Sequence, residues 1–191
     1  MKKLLAIYGS PSKTGSSAFL LNSFLKSINT KKIKIEKIFS FDKKIKPCSS
    51  CGFCIKNGKC KIKDEMQPIY EKLQNADFII VSSPIYFLHL PSELKKIIDR
   101  TQALWVEKYL RKKSFSKNKE RYGIVFFVAA HSSKNIFNCA TKTVKAFFNV
   151  CNVNFYKKIS VPLVDAKASV KSDRLILVKL SSLARQVNSL A

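Results

Sequence analysis

"LLAIYGSPSKTGSS", residues 4–17, decides the fold. Its first five residues are apolar without a break, as a strand covered on both faces requires. Composition then switches at once to glycine, serine, proline and threonine, and Leu21, Phe24, Leu25 and Ile28 follow on one helical face. "FIIV" (78–81) and "GIVFFVAA" (123–130) are also continuous and read as central parallel strands. "IKIEKIF" (33–39) begins with alternation, Ile33 and Ile35 inward, as an edge strand does, and "VNFYKKISV" (153–161) alternates in part. Between the strands, Met66, Ile69, Tyr70 and Leu73 keep a helical period with Asp64 placed to cap it. Leu94, Ile97, Ile98, Thr101 and Trp105 make a third face, and Ile176, Leu180, Leu183, Val187 and Leu190 a final one. Cys139, near Phe137 and Val144, falls in a further helix. Strand and helix alternate about five times, which predicts an α/β fold with a doubly wound parallel sheet. No repeat or linker divides the chain, so residues 1–191 are read as one domain. Ligands of such sheets bind at the carboxyl ends of the strands, so the loops that follow each strand are the ones to inspect.

The chain has 191 residues and a formal net charge of +24. Lysine supplies 31 of the 36 basic residues and arginine 5, spread along the whole length. That skew is a compositional bias and not a patch built for bidentate phosphate contacts. With no basic tail, zinc-finger spacing or aromatic RNA-binding motif, a specific nucleic-acid role is not expected, only weak salt-sensitive adhesion. The apolar runs are strand-length, so no membrane span is expected. "MKKLLAIYGSP" opens like an export signal, but its apolar core stops after about six residues, too short for one. A cytoplasmic location is expected, where clustered cysteines mean metal or redox chemistry before disulfides.

In the loop after the first strand, "YGSPSKTGSS" (8–17), Gly9 and Gly15 allow a tight backbone. Ser10, Ser12, Thr14, Ser16 and Ser17 add hydroxyl donors at the start of a helix. Free N–H groups and the positive end of the helix dipole make phosphate the natural guest. The loop is neither a Walker sequence nor G-x-G-x-x-G. The plainer alternative is a Ser/Thr-rich turn that only caps the helix.

This loop resembles the "GSPRKNGNT" phosphate loop of flavodoxin-like FMN proteins, in the NADPH-dependent FMN reductase and iron–sulfur flavoprotein group. "SSPIYFLHLPSELKKIIDR" (82–100) is similar to that group's "SPVYFG…LKAFIDR" segment. The resemblance is best from residue 3 to about 100. It implies a flavodoxin-like five-stranded sheet of order 2-1-3-4-5, with FMN as cofactor. It also implies cofactor contacts from Ser10, Ser12, Lys13, Gly15, Ser16 and Ser17, with Pro84, Ile85, Tyr86 and Phe87 lining the flavin. Two departures stand out. Leu88 occupies a position where many relatives have glycine, and "AAHSSKN" (129–135) lacks a glycine that often approaches the ring. His131 and Ser132 are candidates to hydrogen-bond the ring instead, the alternative for His131 being a solvated loop side chain.

Four of the six cysteines lie in the segment 47–61, at Cys48, Cys51, Cys54 and Cys60, spaced C-x2-C-x2-C-x5-C. Structural zinc usually takes two C-x2-C pairs with a longer insert between them. Three cysteines in successive steps suit three corners of a cubane, with a fourth thiolate from nearby. The spacing resembles the compact motif of iron–sulfur flavoproteins, which implies a [4Fe–4S] cluster; a zinc site and a loop of free thiols are the alternatives. Lys43, Lys44, Lys46, Lys56, Lys59, Lys61 and Lys63 surround it, and positive neighbours lower thiol pKa and favour a reduced cluster. Cys139 and Cys151 are expected to be buried and inert.

The expectation is an FMN-dependent oxidoreductase that moves electrons between the cluster and FMN, with no acid–base residue assigned. The resemblance implies a homodimer or homotetramer. The lysines make an acidic ferredoxin-type carrier a candidate partner. One rival is an NAD(P)H-dependent FMN, quinone or nitro-compound reductase without a cluster. Another is a non-catalytic metal- or nucleic-acid-binding protein on the same scaffold.

Overall fold

The computed structural model of the chain describes residues 1–113, 120–133, 135–163 and 170–191, the side chain of Lys171 excepted. Its centre is a five-stranded parallel sheet of order β2-β1-β3-β4-β5, the topology the resemblance implies. The strands are β1 (Lys2–Tyr8), β2 (Ile33–Phe39), β3 (Phe78–Pro84), β4 (Tyr122–Val128) and β5 (Asn154–Val161). The continuous apolar runs form the three inner strands, and the two alternating runs form the edges.

Period-two geometry sends successive residues of the inner strands to opposite faces. On one face, Leu5, Ile7, Ile79, Val81, Val125 and Phe127 pack under α3 (Met66–Asn75), α4 (Ser92–Arg100) and α6 (Asn138–Val150). On the other, Leu4, Ala6, Phe78, Ile80, Ile124 and Phe126 pack under α1 (Ser16–Lys26) and α7 (Arg174–Ser189). Each of these large side chains, fully buried, contributes about 1.5–3 kcal/mol of transfer free energy. Arg121, 1% exposed, ties the start of β4 to its surroundings by donating to the carbonyls of Leu73, Ala76 and Cys151.

Two expectations need correction. The apolar face from Leu94 to Trp105 is not one helix. α4 ends at Arg100, α5 covers only Gln102–Trp105, and a π-helical turn follows at Val106–Leu110. Thr101, between them, donates from Oγ1 to the Ile98 carbonyl at 2.6 Å, a back-bond that bends helices. Cys139 is exposed and not buried. The inner face of α6 runs Ala140, Val144, Phe147 and Phe148, which carries Cys151 inward and leaves Cys139 one residue off the stripe.

Candidate functional site

The first two loops of interest meet because β1 and β3 are neighbours at the point where the chain reverses its direction across the sheet. The Gly9 amide donates to the Ser82 carbonyl at 2.8 Å. A Cβ at Gly9 would stand 2.6 Å from Leu94 Cδ2 and 3.0 Å from Ser83 Oγ, so a larger residue would have to displace the side chains at the start of α4 and the end of β3. Among the described residues no side chain caps α1, whose N-cap is the extended Gly15. Its first-turn N–H groups are therefore left for an outside acceptor. Ser12 is exposed and Ser16 half-buried beside them, and the Ser12 amide donates to Ser10 Oγ at 3.1 Å. Ser17 is buried, and its carbonyl accepts from Ser82 Oγ at 2.7 Å, fastening the helix to β3. Lys13 pairs with Asp42 at 2.6 Å and lies over the Phe39 ring, which tethers the loop to the chain after β2.

After β3, Pro84 and Ile85 are half-buried, and the Ile85 amide donates to the Val128 carbonyl at 2.8 Å. The chain then makes a two-residue hairpin, with Tyr86 and His89 exchanging both backbone hydrogen bonds at 2.9 Å. Its central residues, Phe87 and Leu88, have φ of 47° and 65°. Two successive positive φ values define a type I′ turn, a conformation that glycine or asparagine adopts without strain. Holding Phe and Leu there leaves the Phe87 side chain fully exposed, with Tyr86 and Leu88 about half exposed beside it. A strained loop that presents an uncovered aromatic patch is the arrangement a flat apolar ring would cover. His131 is exposed at the neighbouring loop after β4, and Lys134 of that loop lies outside the described residues.

Cys48, Cys51, Cys54 and Cys60 all line one cavity of about 420 Å³, walled on its far side by Asp99, Arg100, Gln102 and Ala103. Burial raises the Cys54 thiol pKa, and the neighbouring Cys48, Cys60 and Cys51 raise it further, so the four sulfurs sense one another. The Phe53 backbone N–H holds Cys51 below the usual thiol range, helped by Ser49 and Lys61. Among the described residues, no three Cys, His, Asp or Glu side chains are gathered closely enough for one metal ion. None of the cavity's lining residues belongs to the two loops above. The nine residues of α4, about 13 Å of helix, run from one region to the other.

The residue that organises this cavity is Arg100. Its side chain is fully buried and donates to the Lys46 carbonyl (2.8 Å), the Ile62 carbonyl (3.2 Å) and both oxygens of Asp64 (2.7 and 3.2 Å). Asp64 also accepts from the Lys46 amide at 2.9 Å and the Met66 amide at 3.1 Å. Asp64 stands one place before the N-cap Glu65, which among the described residues has no side-chain cap, accepts from the first amide of α3, and doubles as the counter-ion of Arg100. Both arms of the cysteine segment are thus pinned at one point. Burial works against both charges, but the hydrogen bonds between them prevail: Asp64 is held below the usual carboxylate range and Arg100 is pushed up. At the tip of the segment, Arg111 pairs with Glu107 at 3.0 Å and donates to the Lys56 carbonyl at 3.2 Å. Sequence reasoning found the cysteines and missed these arginines. The available signal was their scarcity, since a lysine-rich chain keeps arginine where a planar fork is needed. His89 was also missed; its Nε2 stands 3.1 Å from Thr143 Oγ1 and joins the hairpin to α6.

A family model described as NADPH-dependent FMN reductase matches residues 2–166. An iron–sulfur flavoprotein of Methanocaldococcus jannaschii is 37% identical over 111 residues, 58% of each chain. One from Methanosarcina thermophila is 34% identical over 118 residues, 61% of this chain and 59% of its own. The chain spans about half the length of the curated relatives it matches. Among solved structures, an FMN-dependent NADH-azoreductase from Bacillus anthracis in complex with FMN superposes with a TM-score of 0.68 at 15% identity, over 98% of this chain and 100% of its own. Smu.1420 from Streptococcus mutans superposes with a TM-score of 0.71 at 18% identity, over 96% and 99%. At such identities the likeness establishes the fold alone.

Proposed function

The chain belongs to the NADPH-dependent FMN reductase family, and we propose that it is an FMN-dependent oxidoreductase whose cysteine segment carries an iron–sulfur cluster. The observation that carries the flavin reading is the uncapped N-terminus of α1 beside the strained aromatic hairpin. Anion donors and an uncovered apolar patch then stand on adjoining loops, as a phosphate-bearing ring system requires. Bound FMN exchanges one electron or two, and so couples single-electron carriers to pair chemistry. Ser12 and Ser16 are proposed to hold the phosphate, Tyr86 and Phe87 to shield the ring from water, and His131 to reach its polar edge.

Four thiols around one cavity, with a buried arginine in its wall, support the cluster. So do the curated relatives, which are named iron–sulfur flavoproteins. Among the lysines near the segment, Lys44, Lys46, Lys56, Lys59, Lys61 and Lys63 are exposed. They form a basic surface suited to an acidic one-electron carrier of the ferredoxin type. A homodimer or homotetramer is proposed, with the fully exposed Phe87 a candidate for its interface.

One anaerobic preparation tests this reading. The protein is expected to bind FMN and about four irons per chain, as one cubane requires. Zinc, or no metal after reconstitution, removes the cluster; colourless protein that takes up no FMN removes both. Changing Ser12 and Ser16 together to Ala should weaken FMN binding at least about tenfold, since each donor to a charged group contributes roughly 1.5–3 kcal/mol. Riboflavin binding should change little, and equal weakening of both ligands overturns the phosphate assignment. The second reading is an NAD(P)H-dependent reductase without a cluster. The family description favours it, as does the absence of a gathered metal-binding group among the described residues. It predicts NAD(P)H oxidation by iron-free protein.

A further inference from the structure

Three arginines, Arg100 and Arg121 buried and Arg111 exposed, serve as braces, and they do not use their donors alike. Arg121 engages all three side-chain nitrogens: Nε with the Ala76 carbonyl, and the two terminal nitrogens with Cys151 and Leu73. Arg111 uses Nε on Glu107 and one terminal nitrogen on the Lys56 carbonyl. Arg100 spends both terminal nitrogens on Lys46, Ile62 and Asp64, yet its Nε is buried without any partner among the described residues. An isolated buried donor is costly, and native structures rarely leave one without a reason. Here the residue that carries it lines the thiol cavity.

We propose that Arg100 is a positioning residue of this cavity whose Nε–H is reserved for an anionic sulfur acceptor bound among the four cysteines. The proposal rests on the cluster reading above and adds to it a donor from outside the cysteine segment. The lining offers sulfur as the acceptor: four thiols against a wall otherwise formed by Ile55, Ile62 and Ala103 together with a few polar groups. Arg100 is held for the task. Its guanidinium is clamped by Asp64, and its own carbonyl accepts from the Tyr70 hydroxyl at 2.7 Å. Tyr70 also lines a second cavity with Cys60, so the same side chain meets the thiol segment from behind. A hydrogen bond donated to a cluster sulfur withdraws electron density and stabilises the more negative, reduced state. Arg100 would therefore raise the reduction potential of whatever iron–sulfur group the cavity holds, besides fixing the loop around it.

The test uses the full chain, reconstituted without oxygen with ferrous iron and sulfide, and in parallel the metal-free chain titrated with Co²⁺. Arg100→Lys keeps the charge and removes the fork with its Nε–H, and Arg111→Gln loosens the tip of the segment without touching the cavity wall. For Arg100→Lys, Co²⁺ read by thiolate charge-transfer bands should bind at least tenfold more weakly. The midpoint potential of the reconstituted fraction should move to more negative values, while Arg111→Gln leaves that potential in place. A purely structural role would lower the yield of loaded protein and leave its potential unchanged, and that result overturns the proposal. Should Arg100→Lys fail to fold, Tyr70→Phe keeps the guanidinium and removes the hydroxyl that holds the Arg100 backbone carbonyl, and with it the placement of the side chain. Its potential should shift in the same direction, and an unmoved potential again overturns the proposal. Failure of the parent reading looks different: the unaltered protein then takes up neither iron nor Co²⁺, and both fall. An unaltered protein that loads, beside an Arg100→Lys variant of equal affinity and potential, sinks this inference alone.

Discussion

Leu88 carries backbone strain in a side chain that does little packing. Its φ of 65° lies where an L-residue with a Cβ costs about 1–2 kcal/mol, and it is 53% exposed. Leu88→Gly should therefore stabilise the chain by about 1 kcal/mol, read as a higher urea midpoint at unchanged slope. A lower midpoint would mean that Leu88 makes a contact worth more than its strain. Asp64 is the opposite case, a charge that only its partner makes tolerable. Its carboxyl titrates below the unfolded value of about 3.9. The stability it lends is present above that value and is lost as the pH falls through the folded one. Asp64→Asn leaves Arg100 buried without a counter-ion and should cost about 3 kcal/mol at neutral pH. It should also flatten the dependence of stability on pH below about 4. A variant with the acid limb of the original protein would show that the pair is not what titrates there.

The cysteine-bearing element depends on one glycine more than on any cysteine. Gly58 ends α2 (Phe53–Asn57) with φ of 70°, and a Cβ there would stand against the Glu107 carboxylate. Gly58→Ala should cost about 1–2 kcal/mol locally and displace Glu107 from Arg111. Proteolysis within residues 53–61 should then speed up while the sheet melts as before. Equal protection of the segment would show that Arg100 alone holds it. The inner strands were legible because a strand buried on both faces leaves a continuous apolar run, as in "FIIV". The spacing of Cys48, Cys51, Cys54 and Cys60 was legible for a similar reason, since local spacing maps onto a local loop. The break at Thr101 was not, because the apolar period runs on from Leu94 to Trp105 through residues of both α4 and α5. Nor was the duty of Arg100, whose partners at Lys46 and Asp64 lie 54 and 36 positions away in sequence. Contacts of that kind follow from how α4 docks on the sheet, which no periodicity records.

At the scale of the molecule the charge of +24 dominates. Self-repulsion among like charges opposes compaction, and salt screens it over about 10 Å at 0.1 M. Raising sodium chloride from about 0.01 to 0.3 M should increase the melting temperature, and a fall would mean that ion pairs such as Lys72–Glu36 outweigh the repulsion. If the proposed acidic ferredoxin-type carrier docks on this surface, reduction by it should slow over the same range, because steering between opposite charges is screened as well. Changing Lys56, Lys59 and Lys61 to Gln should slow it at low salt, whereas the same change at the distant Lys179 should not. A rate indifferent to salt would locate the encounter elsewhere. Among the described residues no helix is long and apolar enough to cross a membrane.

The 2.9 Å bond from the Lys46 amide to Asp64 brings the two ends of the cysteine segment together at its base. Everything between them is an excursion from β2 to α3, and its removal would sever no strand pairing. Closing a gap whose ends already touch costs little chain entropy, and that cost grows only slowly with length. The segment is thus a detachable module: on the proposed reading, the scaffold beneath it would gain or lose its redox centre by insertion or excision while the loops after β1 and β3 stay in register. A chain in which residues 48–60 give way to a short turn should keep its sheet and whatever ring the hairpin at Tyr86–His89 covers. It would differ from its parent in the currency of electrons it accepts.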